Sequence, residues 1–458
     1  MTTITSTPSE RTQIGKYAIG ALLIITGLIL NKWTLSKVFS PDGEINSLLI
    51  TSIVTFFDLI LIGTGIWLAG TKQGKSFYNR YFQELILFLV TLILLVVFAE
   101  VGIRVYLGYF AQRETIIKYG ATKDIPPEWW IFSDQDPYLP FVPTANYRKG
   151  NQYHNSRGFR GKELVIPKPA NHYRIAVIGG STVYETAVKD NDSIFTTQLE
   201  DNLSRKYPEL KVEVINGGSA AYTSWESLVT LAFRVLDYEP DMVILSDGLF
   251  DANCRFIEHD TYQGNNSGYR SKWKMPDYGW TETLGIIRII RRHLGASRQL
   301  DLTQAVGLRI PDSQNPKSPA RYAYFDSLLT VNPPIYFERN IRNMVAIAQA
   351  QSIKPVLVAY AWTPNFLPRK GIVDYASLPY YQKAFEEHNA LLQKIAVEKG
   401  IPFYDHVAEM PKDTSYWADG RHVNAKGSIV KAEMFTKFLL DNNLIPHSKC
   451  SLTINQPE

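Results

Sequence analysis

Three apolar stretches near the start, Tyr17–Leu30, Leu48–Ala69 and Leu85–Ala99 with its extension to Leu107, constrain this chain more than anything else in it. In hydrocarbon every backbone N–H and C=O must be bonded within its own segment, so roughly 17–25 apolar residues in a row become a spanning helix. The second and third stretches have that length, and the first reaches it when Lys16 and Lys32 snorkel at its ends. A secretory signal peptide would account for the first stretch and leave the other two unexplained. Between the second and third, Lys72, Lys75 and Arg80 meet no acid until Glu84, whereas Lys32 and Lys37 are balanced by Asp42 and Glu44. That bias predicts a cytoplasmic loop at 72–80 and an extracytoplasmic chain after about Gln112, in a multi-pass protein of the cell membrane whose bilayer is its first partner.

Two ionisable features sit in the spans. Asp58 near the middle of the second either serves proton or substrate movement or is a protonated acid packed on a neighbouring helix. Glu100 and Arg104 have the i, i+4 spacing of a helix-surface ion pair at the outer end of the third.

The remainder reads differently. Five β-branched runs, Arg174–Gly179, Lys211–Asn216, Asp241–Ser246, Lys354–Ala361 and Ile401–His406, alternate with amphipathic stretches at Ser193–Tyr207, Ser224–Tyr238, Phe337–Gln351, Tyr380–Lys399 and Ala425–Asn442. Strand then helix, five times, predicts an α/β fold: a doubly wound parallel sheet with its site at the carboxyl ends of the strands. The expected organisation is a membrane anchor at 1–112, a connecting segment at 113–172, the α/β domain at 173–445 and a tail at 446–458. Residues 253–334 interrupt the alternation as an insertion. Within it Thr281–Gly295 is amphipathic: its Ile face packs on the domain, or Arg288, Arg291 and Arg292 touch anionic headgroups. Trp273, Trp280, Tyr262, Tyr269 and Tyr278 in the same insertion stack on sugars, or serve packing or membrane-interface seating.

Composition narrows the function classes. A net charge of +4 over 458 residues gives no electrostatic footprint for nucleic acid. Two cysteines, Cys254 and Cys450, make no zinc cluster and at most one disulfide, and His259, His293 and His406 lack metal-ligand spacing, so neither metal nor cofactor is expected.

Chemistry concentrates at two places. Gly179-Gly180-Ser181-Thr182 ends the first strand, which sets Ser181 at the sheet's carboxyl edge near a helix start, where exposed N–H groups and the helix dipole favour a nucleophile. After the fifth strand, Asp419 and His422 are three apart, a spacing that lets the carboxylate hold one imidazole nitrogen while the other reaches a serine.

With these residues the chain resembles the SGNH (GDSL-type) hydrolase family over roughly Tyr153–Leu440. The resemblance rests on Asn155-Ser156-Arg157-Gly158-Phe159-Arg160-Gly161 before the first strand, Gly-Gly-Ser-Thr in place of Gly-Asp-Ser, Asn216–Ser224 after the second strand, and the final Asp-x-x-His. It implies a three-layer α/β/α domain with Ser181 as nucleophile, His422 as base and Asp419 as its orienting carboxylate. It also implies an oxyanion hole of the Ser181 N–H, the N–H at Ala221, and a side chain after the third strand. Two departures stand out: Ala221 replaces a glycine, and Phe250 occupies the family's asparagine position, leaving Asn253 as the substitute donor.

The expected function is therefore a membrane-anchored extracytoplasmic serine esterase or O-acyl transferase. It would work through an acyl-serine on an acyl ester of an envelope glycan or lipid, with a membrane acyl-donor protein as a further partner. The competing expectation is a catalytically weak or inactive SGNH-fold protein that binds an envelope glycan or a partner through the insertion. Transport of an acyl donor through the spans would rest on Asp58 alone.

Overall fold

The computed structural model describes residues 8–40, 44–45, 47–121, 125–126, 129–133, 136–266, 268–269, 279–294, 319–366 and 374–446. The chain divides into two compact units, Met1–Pro126 with Met275–Asp301, and Pro127–Lys274 with Leu302–Glu458.

The first unit is helical. Helix α1 (Pro8–Ile29) is followed, after a 55° bend, by α2 (Lys32–Phe39), whose start is capped by Asn31 Oδ1 accepting from the N–H groups of Trp33 (2.9 Å) and Thr34 (3.1 Å). Helices α3 (Leu48–Gly70) and α4 (Lys72–Val105) follow, capped by Ser47 and Thr71, and α4 continues through a π-helical turn, Tyr106–Phe110, before the short α5 (Arg113–Tyr119). Leu48–Gly70 and Ile86–Phe110 are each long and apolar enough to cross a membrane, and the bent α1–α2 pair makes a third span if it counts as one. Contact between α1 and α3 is close because both helices offer glycine: a Cβ on Gly65 would stand 2.6 Å from the Gly20 carbonyl oxygen. Asp58 is half-buried near this crossing, where Gly27 lies against its backbone carbonyl.

A helix at Gly285–His293, from the insertion, belongs to this unit and is oriented as neither sequence expectation anticipated. Its Arg288 and Arg292 are buried and its Ile290 is exposed. Arg288 donates to the carbonyls of Tyr119 (2.8 Å) and Glu282 (2.5 Å), and Arg292 to Lys118 O (2.9 Å) and the Glu282 carboxylate (2.8 Å), so neither guanidinium is left for headgroups.

The second unit is the α/β domain. Its parallel sheet comprises β1 (His172–Gly179), β2 (Lys211–Gly218), β3 (Met242–Ser246), β4 (Lys354–Val358) and β5 (Phe403–Tyr404), in the order β2-β1-β3-β4-β5. Alternate residues feed two cores, the period-2 signature of a sheet covered on both faces. Ile175, Val177, Met242, Ile244, Val356 and Val358 pack under α6 (Phe195–Lys206) and α11 (Ala425–Asp441). Ala176, Ile178, Val243, Leu245 and Leu357 pack on the other side, against the Leu231–Val235 turn that continues α7 (Ser224–Thr230), and against α9 (Ile335–Ala350) and α10 (Pro379–Lys399). Each such Ile, Leu or Val contributes about 1.5–3 kcal/mol by leaving water. This is the expected three-layer α/β/α architecture, with the order reversing direction between β1 and β3, where sheets of this kind place their sites.

Differences from expectation are local. Strand β5 is two residues long where six were predicted, and the helix expected over Ser224–Tyr238 widens into a π turn after Thr230 and then tightens into a 3₁₀ turn. The stretch before β1 buries Trp130, Phe132, Leu139, Phe141 and Tyr147 and forms two small hairpins, Phe132–Ser133 with Val142–Pro143 and Arg148–Lys149 with Gln152–Tyr153. Within the insertion the described residues form helices and no strand; Trp273 and Tyr278 lie outside them. Cys254 is buried, and Cys450, the other cysteine of the chain, lies outside the described residues.

Candidate active site

Strand β1 ends at Gly179, and Ser181 opens a single helical turn, Ser181–Tyr184. The first N–H groups of a helical turn have no acceptor within it, so an oxygen placed there meets positive potential. Ser181 Oγ lies 2.7 Å from His422 Nε2, across 241 residues of sequence. His422 Nδ1 lies 2.8 Å from Asp419 Oδ2 and 3.1 Å from Oδ1. Burial works against the Asp419 charge, but the hydrogen bond and charge of His422, with Arg421 beside it, hold this carboxyl far below the usual carboxylate range. The three residues that the sequence pattern singled out are thus in line: serine, imidazole, carboxylate.

The turn carrying Asp419 and His422 is braced from several directions. Asp419 Oδ1 accepts the N–H groups of Arg421 (2.7 Å) and His422 (2.8 Å), and Thr363 N–H donates to the Gly420 carbonyl at 2.9 Å. Buried Asp374 accepts the Gly420 N–H at 2.5 Å and the Ala376 N–H at 2.9 Å, tying the turn to a neighbouring loop. Asn424 then caps α11 through the Gly427 N–H at 3.0 Å.

Helix α11 also holds the nucleophile's turn. Glu185, four residues after Ser181 and in the left-handed region (φ 59°), is fully buried and accepts from Ser428 Oγ of α11 (2.6 Å) and from the Phe195 N–H (2.8 Å). Lys431, one turn further along α11, stands 3.7 Å from the same carboxylate and donates to the Thr182 carbonyl at 2.8 Å. Burial pushes the Lys431 ammonium down to about 8, against the pull of Glu185, and burial likewise raises the Glu185 carboxyl. From the other side buried Arg160 donates to the carbonyls of Tyr184 (2.8 Å), Glu185 (2.9 Å) and Val188 (2.7 Å), so the Asn155–Gly161 motif clamps the turn that presents Ser181. Sequence reasoning missed Glu185, Lys431 and Asp374; the signal for Arg160 was present in the motif.

The oxyanion candidates divide. Ala221 sits in the loop after β2 at φ 61°, next to Tyr222, whose carbonyl oxygen lies against Gly180: a Cβ placed there would be 3.0 Å from it. Asn253, on α8 (Leu249–Cys254), donates its side-chain amide to Tyr269 Oη at 3.2 Å, so this amide is engaged with the insertion. Phe250 brings a ring carbon to 4.0 Å from that same Gly180 Cβ position, so an aromatic edge borders the nucleophile's loop where an amide was sought. Ser181 itself is only 4% exposed.

Other sequence candidates have ordinary places. His259 Nδ1 pairs with Asn332 Oδ1 at 2.8 Å, His406 is buried against Tyr404 and Phe435, and His293 is exposed on the insertion helix. Tyr262 donates to the Pro333 carbonyl at 2.7 Å and Tyr269 is fully buried. Among the described residues no cluster of three His, Cys, Asp or Glu has metal-binding geometry. A cavity of about 500 Å³ lined by Lys168, Tyr173, Asp241 and Lys354 opens at the amino end of the sheet, opposite Ser181.

The sequence matches no protein-family model and no curated protein. Among solved structures the chain is similar to a GDSL-like lipase from Bacteroides thetaiotaomicron (14% identity, 59% of this chain and 89% of that one, TM-score 0.33). It is likewise similar to a lipase/acylhydrolase from Enterococcus faecalis (14%, 59% and 96%, TM-score 0.35) and to the psychrotrophic esterase EstA from a Pseudoalteromonas species (12%, 59% and 99%, TM-score 0.34).

Proposed function

We propose that this protein is a membrane-anchored serine hydrolase of SGNH type that cleaves or transfers acyl esters on the extracytoplasmic side. One observation carries the reading: Ser181 Oγ at 2.7 Å from His422 Nε2, with Asp419 at 2.8 Å from Nδ1 of the same ring. In this arrangement His422 takes the Ser181 proton as the oxygen attacks the ester carbonyl, and Asp419 holds the imidazole in the required tautomer and stabilises its cation. The oxyanion that forms beside Ser181 is met by backbone N–H groups at Ser181 and Ala221. His422 then returns the proton to the leaving alcohol, giving an acyl-serine that water or a sugar hydroxyl resolves. The low exposure of Ser181 and the Phe250 edge beside Gly180 favour a short acyl group. The Lys72–Arg80 loop supports an extracytoplasmic domain, and that side supports an envelope glycan or lipid as the acyl-bearing partner.

A second reading has its own observation. With Phe250 in place and Asn253 held by Tyr269, the site lacks a side-chain oxyanion donor among the residues singled out for that role, which suits a weakly catalytic glycan-binding protein. Losing one such donor costs about 10²–10³ in rate. Fluorophosphonate labelling of the purified protein decides between them. Covalent capture at Ser181, absent in Ser181→Ala together with ester turnover, is the expected result. Failure to label Ser181, with glycan binding that survives Ser181→Ala, would establish the second reading.

A further inference from the structure

We infer that the insertion helix Gly285–His293 is a lipid-seated helix, with its isoleucine and leucine face turned into the bilayer and its arginine face turned into the protein; the inference rests on the reading of α3 and α4 as membrane spans.

The helix is fixed to the end of the span. Glu100 of α4 accepts the first N–H groups of this helix, Gly285 N at 2.9 Å and Ile286 N at 3.1 Å, and is itself bonded to Arg104 at 2.8 Å. Arg104 in turn donates to the Thr283 carbonyl at 2.7 Å. The approach is close enough to demand glycine, since a Cβ at 285 would stand 2.8 Å from Ile103 Cγ2. The ion pair that the i, i+4 spacing suggested is therefore also a docking point. A carboxylate at a helix start satisfies otherwise orphaned donors and the helix dipole together.

At 100° per residue Gly285, Arg288 and Arg292 share one side, which is buried, while Ile286, Ile290 and Leu294 form an i, i+4, i+8 stripe on the other. On that stripe Ile290 is 41% and Leu294 55% exposed. In water a helix of this pattern turns its arginines outward and buries its aliphatic face. The reverse orientation, with both guanidiniums satisfied by carbonyls and Glu282, is stable when the outer medium is itself apolar. Continuity identifies that medium. The α4 segment that receives the helix leaves Val101, Val105, Tyr106, Tyr109 and Phe110 exposed, an apolar stretch ending in aromatic rings of the kind that seat at headgroup level. The occupant of the exposed face is thus the headgroup and acyl-chain boundary of a phospholipid bilayer.

The test uses the full-length chain with Cys254 and Cys450 changed to serine, reconstituted in phosphatidylcholine–phosphatidylglycerol vesicles. A nitroxide is placed in turn by Ile290→Cys, Leu294→Cys, Leu94→Cys in the span and Val397→Cys on the α/β domain. Power saturation then compares collision with oxygen and with a nickel chelate. We expect the Ile290 and Leu294 labels to be several-fold more accessible to oxygen than to nickel, at a depth of about 5–10 Å below the headgroup boundary, with Val397 showing the opposite ratio. Nickel accessibility at Ile290 and Leu294, with Leu94 still in lipid, overturns this inference and leaves the spans intact. Nickel accessibility at Leu94 overturns the spanning reading and the inference with it. Dipolar broadening at Ile290 would show a second copy on this face and also overturns the lipid assignment.

Discussion

Lys431→Met is the perturbation that probes the site from behind. Lys431 is about 5% exposed, stands 3.7 Å from Glu185 and donates to the Thr182 carbonyl, one residue from the proposed nucleophile. Methionine keeps much of the volume and removes the cation, which strands a fully buried carboxylate. Breaking a buried pair from one side costs about 3–5 kcal/mol, because the remaining charge is uncompensated. At about 2–4 °C per kcal/mol, even a loss of 3 kcal/mol lowers Tm by roughly 6–12 °C. The double variant Lys431→Met/Glu185→Gln removes the charge on both sides, and we expect it to recover at least half of that loss. The single variant should also be pH-sensitive. Burial already raises Glu185, and loss of Lys431 raises it further, so its protonated form persists in the folded state. The stabilising proton is present at low pH and lost as pH rises through the folded pKa, so the deficit of Lys431→Met shrinks at pH 5 relative to pH 8. Melting curves of the purified full-length protein, with p-nitrophenyl acetate turnover as the second readout, measure both. A single-variant cost under about 1 kcal/mol, or a double variant as unstable as the two singles combined, refutes the brace between α11 and the serine turn.

Three further expectations follow from the same geometry. Asp419→Asn leaves a hydrogen-bonding group beside His422 but permits the wrong tautomer, and should lower kcat by about 10²–10⁴ with KM little changed, measured on a chromogenic ester; a loss under fivefold would remove Asp419 from the triad. Phe250→Ala should broaden acyl-chain preference from acetyl toward octanoyl p-nitrophenyl esters, and an unchanged chain-length profile would dissociate Phe250 from the acyl site. Buried Asp251 accepts from the Ser224 N–H and hydroxyl, and burial drives its carboxyl from an ordinary 3.8 up to about 7 despite those bonds. Between about 4 and 7 the folded state therefore holds the extra proton, shared with the buried neighbour Asp247, and the stability it contributes, present below pH 4, is lost as pH rises to 7. Relative to Asp251→Asn, wild-type Tm should fall between pH 5 and pH 8; parallel profiles for the two would exclude Asp251 as the source.

What was legible in the sequence, and what was not, follows from the range of the interactions. The apolar helices and the five strands are local patterns, hydropathy over about 20 residues and β-branched runs of six to eight; two helices long and apolar enough to cross a membrane, a third if the bent pair counts as one, and all five strands are in the fold. Ser181, Asp419 and His422 were readable because the carboxyl ends of parallel strands converge, so residues 241 apart could be expected to meet once the strand–helix alternation was counted. The supports had no such pattern. Ser428 meets Glu185 across 243 residues and Gly420 meets Asp374 across 46, contacts that depend on side-chain reach rather than on topology. Asn253 shows the same limit: its position near the third strand was legible, but the bond from its amide to the Tyr269 hydroxyl was not.

The insertion helix marks a different boundary. Periodicity states that a helix has two faces; it does not state which face is inward, because the choice depends on the medium outside. For Gly285–His293 the arginines would point outward in water and inward in lipid, and both sequence expectations, isoleucines on the domain or arginines on headgroups, turned them outward. The structure places it with the apolar helices, where Glu100 receives its first N–H groups and backbone carbonyls take up Arg288 and Arg292. Removing that anchor therefore discriminates between media. Glu100→Ala orphans two N–H groups and leaves Arg104 only its bond to the Thr283 carbonyl, which in water would cost about 1–3 kcal/mol and loosen the helix. If the isoleucine face is seated in lipid, the Ile290 spin label stays oxygen-accessible in Glu100→Ala, because the bilayer still holds the helix when the protein contact is gone. Transfer of that label to the nickel-accessible phase would show instead that protein contacts alone fix the helix.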